Sequence, residues 1–514
     1  MTHIAFPRLQ NDMVPLEDYG QMLSRNEVQF GDRPAIFSQN RVVSHGELAV
    51  RVRAIAALFR DIGIQKGDCI GVLAGKNPCA IECFLAATLI GAVFFPVDCL
   101  QPRSVSEEIV RRLQPSLLVA EADFLPLANA LACLGTHTRV VAAAQSIPTN
   151  IPSFANLDMS RPVDDPSVRL GADDPVYYNF TSGTTGRPKA AVATLGNIHY
   201  NTLASIESFA MTAEDVHLCM MPIFVHPHEL FARPLYLGGS FVLIDSIAPK
   251  SIAGEIARHR VTAFMAVASI YETLVRLPHA ERYNLESLRI PESGGMFATS
   301  DLVFEFRDKY GKIMMPVWGS TEATGIAVAS RPGEAYRPGT MGRACPYYDV
   351  HVMAEDNREA DVNEPGELIV AGPGVISSYY DDPEETASCL SGGVFHTCDI
   401  VKRDSDGYLF FQSRKNSMMK VGGMKVFPAE IEECLRAHPD IIEVAVIKYG
   451  DTLRGEAPKA FIVKRPGAQL DRSDVIAHCR THLHRFKAPR SIEFLEELPK
   501  TPGGKLAWRK LLSE

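Results

Sequence analysis

The sequence lacks the features of a secreted, membrane-spanning or nucleic-acid-binding protein. The N-terminal residues carry no apolar core of the signal-peptide kind. The most apolar run, Cys83 to Val97, is shorter than a membrane span and is interrupted by Gly91 and Pro96. Basic residues are not in excess, since 52 Lys and Arg face 61 Asp and Glu, which gives a net charge of −9. We therefore expect no nucleic-acid partner, no membrane span and no polybasic anchor, and a cytoplasmic location.

Paired cysteines are missing as well. The eleven cysteines include no CxxC pair. The sequence therefore predicts neither a zinc site nor a disulfide framework, and reduced, buried thiols are the simplest interpretation. Internal repeats, low-complexity tracts and a carrier-protein segment are also absent.

The length and the pattern of apolar segments indicate the fold class. At 514 residues the chain exceeds one ordinary core, so two or more domains are expected. Short apolar strands alternate with helical segments, which predicts an α/β fold of parallel sheets with helix-covered faces.

One stretch is rich in glycine and small hydroxyl residues. It reads TSGTTGRPK from Thr181 to Lys189 and follows Val176 to Phe180, which we predict to be a strand. Glycine lets the backbone approach a ligand closely, and N–H groups, hydroxyls and two cations suit anionic oxygens. The stretch is therefore predicted to bind a polyphosphate. It is not a P-loop, because no Ser or Thr follows the lysine.

This stretch resembles the signature of the adenylate-forming superfamily, which includes acyl-CoA synthetases, peptide-synthetase adenylation domains and firefly luciferases. Other motifs extend the resemblance from about Ser44 to Lys505 in the family's order. The resemblance implies a large N-terminal domain of helix-covered sheets, residues 1–414, and a small mobile α+β domain, residues 415–514. Asn416 would be the hinge between them. It also implies ATP-dependent activation of a carboxylic acid to acyl-AMP, followed by transfer to a thiol.

The resemblance also assigns residues to ATP and its Mg²⁺ ion. Glu322 offers the hard oxygen that Mg²⁺ prefers, and the carboxylate of Asp399 has two oxygens for two ribose hydroxyls. Cys398 stands where the family has glycine. The implied nucleotide-contacting residues are Thr181, Ser182, Gly183, Thr184, Thr185, Gly186 and Lys189, then Gly294, Gly295 and Met296, then Trp318, Gly319, Ser320, Thr321 and Glu322, and finally Asp399 and Arg414.

Catalysis is implied for three residues. Lys505 ends a PKTPGGK motif whose last lysine acts in the first half-reaction of the family, and Thr184 and Glu322 complete the set. Gly423 lies in the segment after the hinge, where glycines let a pantetheine chain approach the backbone. Farther on, residues 473–484 are predicted to form a helix capped by Ser473.

The acid pocket is assigned from the residues after strand-like Met220 to Ile223. By resemblance it involves Phe224, Val225, His226 and His228. Two imidazoles would favour an acid with a hydrogen-bonding group, because pocket polar groups are few and set specificity. The alternative is that both histidines are satisfied polar groups at the end of a strand.

Three functions stay open at this point. The leading prediction is a carboxylic acid–CoA ligase that uses ATP, Mg²⁺ and CoA. The second is a stand-alone enzyme that loads an acyl or β-amino acyl group onto the phosphopantetheine of an acyl carrier protein. The third is a non-catalytic acyl-nucleotide-binding protein. A homodimer is a further open alternative.

Overall fold

The structure is a computed structural model that describes residues 15–38, 41–99, 101–143, 152–159, 168–182, 188–220, 227–295, 298–391, 393–415, 417–421, 424–451, 455–484, 486–500, 506 and 510–511. Contacts divide the chain into two compact units. Unit 1 comprises Met1–Tyr336, Ala344–Asp349 and Val370–Phe395, and unit 2 comprises Arg337–Arg343, Val350–Ile369 and His396–Glu514. The boundary between residues 414 and 415 stays a prediction, because it concerns a motion rather than a set of contacts.

Helices and strands alternate through most of the described chain. Up to residue 329 they are α1 (Tyr19–Phe30), β1 (Pro34–Ser38), β2 (Arg41–Ser44), α2 (His45–Asp61), β3 (Cys69–Leu73), α3 (Pro78–Leu89), β4 (Val93–Pro96), α4 (Arg103–Leu113), β5 (Leu117–Ala120), α5 (Leu125–Ala132), β6 (Arg139–Ala142), β7 (Pro175–Ser182), β8 (Pro188–Thr194), α6 (Leu195–Phe209), β9 (Val216–Cys219), α7 (Pro227–Leu237), β10 (Ser240–Leu243), α8 (Pro249–His259), β11 (Ala263–Ala266), α9 (Ala268–Val275), β12 (Ile290–Ser293), α10 (Ser300–Tyr310), β13 (Met315–Ser320) and β14 (Gly325–Ala329). Beyond residue 329 they are β15 (Thr340–Ala344), β16 (Asp349–Met353), β17 (Gly366–Ala371), α11 (Pro383–Cys389), β18 (Leu390–Ser391), β19 (Val394–Arg403), β20 (Leu409–Arg414), β21 (Met419–Val421), β22 (Met424–Val426), α12 (Pro428–Arg436), β23 (Ile441–Asp451), β24 (Gly455–Lys464), α13 (Arg472–His482) and β25 (Ser491–Leu495).

Unit 1 contains two largely parallel sheets. One has the strand order β6-β5-β3-β4-β7-β8, and the other contains β14-β13-β12-β11-β9-β10-β1-β2. Every residue of β3, β4 and β5 is buried, as expected for parallel strands with helices on both faces. The α/β prediction is confirmed.

The most apolar run of the sequence is buried inside unit 1. It forms the end of α3 and all of β4, and α3 begins where the Asn77 side chain accepts a hydrogen bond from the Cys79 N–H. Among the residues that the structure describes, no helix is long and apolar enough to cross a bilayer.

Unit 2 contains the C-terminal sheet, in which β22, β21, β24 and β23 pair in that order and β25 lies beside β24. The helices α12 and α13 share one core, which includes Ile431, Leu435 and Val475. The predicted cap of α13 is wrong by two residues. Asp471, not Ser473, is the N-cap, because its carboxylate accepts hydrogen bonds from the N–H groups of Ser473 and Asp474.

Candidate active site

The Thr/Gly stretch lies between the two antiparallel strands β7 and β8. Thr181 pairs with Lys189, and Ser182 pairs with Pro188. The segment from Gly183 to Arg187 lies outside the described residues. A strand follows it rather than a helix, so the distinction from a P-loop, which the sequence predicted, also holds in the structure.

Lys189 lies near the loop end of this hairpin. It is 7% exposed, its ammonium pairs with the carboxylate of Glu385 on α11, and it lies 5.9 Å from the ring centroid of Tyr379. A buried ammonium needs such a partner, because an uncompensated charge in the interior is costly. No sequence motif indicated Glu385, whose carboxylate fixes the position of this ammonium.

Glu322 has an equally specific partner. The Tyr379 hydroxyl donates a hydrogen bond to Glu322 Oε1 over 2.5 Å, and the Ile376 N–H donates to the Glu322 carbonyl over 2.9 Å. Burial, followed by the negative charge of Glu322, raises the pKa of Tyr379 well above its usual value. The hydroxyl therefore stays protonated and remains a donor to the carboxylate.

These contacts add a residue to the candidate site. Tyr379 is not among the residues that the resemblance assigns, yet it contacts both Lys189 and Glu322. We refer to Lys189, Tyr379, Glu322 and Glu385 as the lysine–glutamate cluster. The available signal was the double tyrosine at 379–380, but sequence alone does not show which hydroxyl faces the carboxylate.

The residues before Glu322 form a tight hairpin between β13 and β14. Gly319 has no room for a side chain, because a Cβ there would lie 2.4 Å from the Gly325 carbonyl oxygen. The Ala323 N–H donates to Ser320 Oγ over 3.1 Å. Thr321 directly precedes Glu322 at the turn and Trp318 is half-buried on β13. Close packing of β13 against β14 thus determines where the side chains of residues 318–322 lie.

The second glycine motif lies beside this hairpin. Strand β12 runs parallel to β13, and Gly294 and Gly295 follow directly at its C-terminal end. A Cβ at Gly294 would lie 2.8 Å from Val317 Cγ2, and Gly295 has φ +74°, a conformation that favours glycine. The C-terminal ends of parallel strands are where open α/β sheets bind ligands.

Unit 2 holds the predicted ribose-binding pair. Asp399 is 1% exposed and lies opposite Arg414 in the β19–β20 register. The distance between Arg414 Nε and Asp399 Oδ1 is 2.8 Å, and the Asp399 N–H donates to Thr397 Oγ1 over 3.0 Å. The guanidinium of Arg414, which is largely exposed, therefore holds one oxygen of the buried Asp399 carboxylate in place.

Cys398 adopts a left-handed backbone conformation, which favours glycine. Its φ is +58°, and its N–H donates to Glu367 Oε1 over 3.2 Å. Glu367 also pairs with Lys415 Nζ at 2.7 Å. A cysteine at this position is therefore compatible with the left-handed turn before Asp399. The turn is strained, because the residue in it carries a Cβ.

Several predicted residues lie outside the described residues: Gly183, Thr184, Thr185, Gly186, Phe224, Val225, His226, Met296, Asn416, Gly423 and Lys505. His228 lies in the first turn of α7, where only the backbone is described. The assignments of these residues stay predictions.

The chain matches known proteins over nearly its full length. The profile of the AMP-binding enzyme family matches residues 23–380, and that of the AMP-binding enzyme C-terminal domain matches residues 430–505. A feruloyl-CoA synthase of an Amycolatopsis species is 31% identical over 468 residues, which cover 90% of this chain and 92% of that protein. A crotonobetaine/carnitine–CoA ligase of Citrobacter koseri is 29% identical over 519 residues, covering 97% and 100%.

Solved structures agree with the sequence relatives. The crystal structure of the anthranilate CoA ligase AuaEII in complex with anthranoyl-AMP has a TM-score of 0.88 and 25% identity, covering 97% of this chain and 98% of that one. The predicted fold is therefore confirmed. Since the AMP-binding profile spans well over half of the sequence, the protein belongs to the AMP-binding enzyme family, whose adenylate-forming members its motifs resemble.

Proposed function

We propose that the protein is an AMP-forming ligase that uses ATP to join a small carboxylic acid to CoA. The observation that carries the proposal is the lysine–glutamate cluster, in which a buried ammonium and a carboxylate share Tyr379 as a neighbour. A carboxylate and a triphosphate are both anions. Their reaction therefore needs a fixed cation for the phosphates and a carboxylate suited to a metal ion.

In the first step, the substrate carboxylate attacks the α-phosphorus of ATP, pyrophosphate leaves, and acyl-AMP forms. Lys189 and the donors of the Thr/Gly loop, with Thr184 among them, bind phosphate oxygens in this proposal. Lys505 neutralises the charge that builds up where the carboxylate meets the α-phosphate. Asp399 accepts hydrogen bonds from the ribose hydroxyls, and Arg414 holds that carboxylate in position.

The residues around Glu322 fit a magnesium ion. Tyr379 occupies one acceptor position of Oε1, and a carboxylate offers about four such positions, so oxygen lone pairs remain for a hard cation. When bound, Mg²⁺ would neutralise phosphate charge. Glu322 holds it, and Tyr379 keeps the carboxylate in one orientation.

In the second step, the thiol of CoA attacks the acyl carbonyl and AMP leaves. We propose that residues 415–514 rotate about Asn416 between the steps. This motion removes Lys505 and brings Gly423 to the pantetheine chain. Both aligned relatives carry CoA ligation in their names, and this favours CoA over the phosphopantetheine of a carrier protein.

The experiment that tests the proposal measures pyrophosphate release and thioester formation separately. ATP and a panel of aromatic, aliphatic and zwitterionic acids are supplied first without an acceptor, then with CoA or with a holo-carrier protein. We expect acid-dependent pyrophosphate release and a thioester with CoA. A thioester with the carrier protein alone would overturn the choice of acceptor, and ATP binding without pyrophosphate release would identify a non-catalytic binder.

The acid is chosen by the pocket, which we propose includes Phe224, Val225, His226 and His228. The names of the relatives mention groups as different as feruloyl and carnitine, so these names do not select one acid. An inward imidazole left without a partner costs about 1–3 kcal/mol, which favours acids with a hydrogen-bonding group. Changing His226 and His228 singly to Phe should reduce that preference. An unchanged ranking of acids would show that neither side chain contacts the substrate.

A further inference from the structure

The two helices of the C-terminal sheet region bring three metal-ligating side chains together. Cys434 lies on α12, and His478 and His482 lie on α13. One ligand atom from each of the three lies within 4.8 Å of those of the other two. The histidines are four residues apart and so lie on one face of their helix. The packing of α13 against α12 places that face beside the thiol.

Backbone carbonyls orient both imidazole rings. The Nε2 atom of His478 lies 2.9 Å from the Cys434 carbonyl oxygen, and the Nδ1 atom of His482 lies 2.9 Å from the His478 carbonyl oxygen. A carbonyl oxygen can only accept, so each of these nitrogens carries the ring proton. The lone pairs of the neutral rings are therefore at His478 Nδ1 and His482 Nε2. A second nitrogen that donates to a backbone carbonyl is what fixes the tautomer of metal-bound histidines.

A third histidine, His438, lies close by in a different state. The ring centroids of His438 and His478 are 4.9 Å apart. His438 Nδ1, however, accepts a hydrogen bond from the Asp440 N–H over 3.2 Å. In the neutral ring the proton is then on Nε2, so neither nitrogen has a lone pair to offer. His438 is therefore a neighbour of the cluster rather than a ligand, and the fourth position would be taken by water.

We propose that Cys434 Sγ, His478 Nδ1 and His482 Nε2 form a binding site for a divalent transition-metal ion, with Zn²⁺ as the preferred ion. One sulfur and two imidazole nitrogens are ligands that Zn²⁺ accepts in tetrahedral geometry, whereas Mg²⁺ requires oxygen. On binding, a bond forms between the metal and Cys434 Sγ, and the thiol proton passes to solvent. The ion would cross-link α12 to α13 within unit 2.

The site is separate from the proposed adenylation chemistry. None of its three residues belongs to the nucleotide motifs, and its ligands would reject the magnesium ion assigned to Glu322. The sequence did not predict it, because the cysteine is alone on α12 and lies 44 residues from the first histidine. Only the pairing of two helices brings these side chains together.

The test uses the full chain, freed of metal with a chelator and titrated with Co²⁺ as a spectroscopic substitute for Zn²⁺. We expect one Co²⁺ per chain, a thiolate-to-cobalt charge-transfer band with tetrahedral d–d bands, and loss of these bands when Zn²⁺ is added. Cys434→Ser should lose the thiolate band. His482→Gln, at an exposed position, should weaken binding at least tenfold, and His438→Gln should bind as the wild type does.

The outcomes separate the proposal from adventitious binding. The proposal is overturned if the wild type shows no thiolate band, or if Cys434→Ser keeps it through another of the eleven cysteines. It is also overturned if His438→Gln is as weak as His482→Gln. Circular dichroism of each variant shows whether the fold is intact. Zn²⁺ should raise the unfolding temperature of the wild type and of His438→Gln by more than that of the other two variants.

Discussion

The Tyr379 hydroxyl donates a 2.5 Å hydrogen bond to Glu322 Oε1, across 57 residues of sequence. The same ring lies 5.9 Å from the ammonium of Lys189. One buried aromatic side chain therefore contacts both the carboxylate that we assign to Mg²⁺ and the lysine that we assign to the phosphates. Tyr379 is a positioning residue in this proposal, because it acts through Glu322.

Removing the hydroxyl should impair magnesium use more than protein stability. In Tyr379→Phe, Glu322 loses the donor that fixes its rotamer, and partners of this kind change metal affinity or activity about 10–100-fold. We expect about tenfold more Mg²⁺ for half-maximal pyrophosphate release, with a smaller change in the KM for the acid. The neighbouring Tyr380→Phe is the matched control and should keep the wild-type magnesium curve. The same magnesium dependence of pyrophosphate release in both variants would argue against a role for Tyr379 in positioning Glu322.

Glu322→Gln tests the ligand itself. A neutral amide is a poorer ligand for a hard cation than a carboxylate, so adenylation should fall and the magnesium requirement should rise beyond that of Tyr379→Phe. The double variant should be no worse than Glu322→Gln alone, because Tyr379 acts through that carboxylate. Unchanged activity across a magnesium titration would remove Glu322 from the metal site.

Local patterns predicted the fold and the elements that carry the motifs. The apolar run before Thr181 is a strand. Gly294 and Gly319 have no room for a Cβ, and Gly295 has a positive φ. These features depend on neighbours in sequence. The contacts of Tyr379, Glu385 and Cys434 could not be predicted in this way, because each joins elements far apart in the chain. The N-cap of α13 shows the limit even locally, since Asp471 and Ser473 both lie at the helix start and only the backbone geometry selects the aspartate.

Lys505 should matter in one half-reaction only. We expect Lys505→Ala to lose acid-dependent pyrophosphate release while keeping most of the thioester formation from supplied acyl-AMP and CoA. The physical reason is that the lysine neutralises charge where two anions meet, and the second step has no such encounter. Lys500→Ala, at the start of the same motif, is the control for loss of a surface charge. Equal losses in both half-reactions would show that Lys505 does not act in the first half-reaction alone.

Stability of the fold should fall in mild acid because of His217. This side chain is 5% exposed on β9, and burial, followed by the charge of Arg233, lowers its pKa from 6.5 to about 3. Arg289 lowers that pKa further, whereas Asp215 raises it. The unfolded chain gains a proton near pH 6.5 while the folded chain stays neutral. Stability is therefore fully present above pH 6.5 and is lost as the pH falls toward 3.

The size of this effect can be isolated by substitution. Between about pH 7.5 and about pH 5, the histidine should remove about 2 kcal/mol from the free energy of unfolding. In His217→Gln that loss should be absent from the urea-unfolding data, although the variant is less stable at neutral pH. His137→Gln, at an exposed position, should retain the wild-type pH dependence. Identical pH dependence in all three proteins would contradict the assignment.

The left-handed backbone at Cys398 predicts that the family's own residue would stabilise this chain. A residue with a Cβ at φ +58° is strained by about 1–2 kcal/mol, and glycine is not. Cys398→Ala keeps the Cβ and removes the thiol, so the comparison of Cys398→Gly with Cys398→Ala isolates the backbone term. We expect the glycine variant to be more stable than the alanine variant by about 1 kcal/mol. The gain is reduced somewhat because glycine loses more conformational entropy on folding.

Thermal unfolding of the two variants measures this difference in stability. The KM for ATP should be the same in both, because Asp399 keeps its Arg414 partner. An alanine variant as stable as the glycine variant would mean that the turn carries no strain.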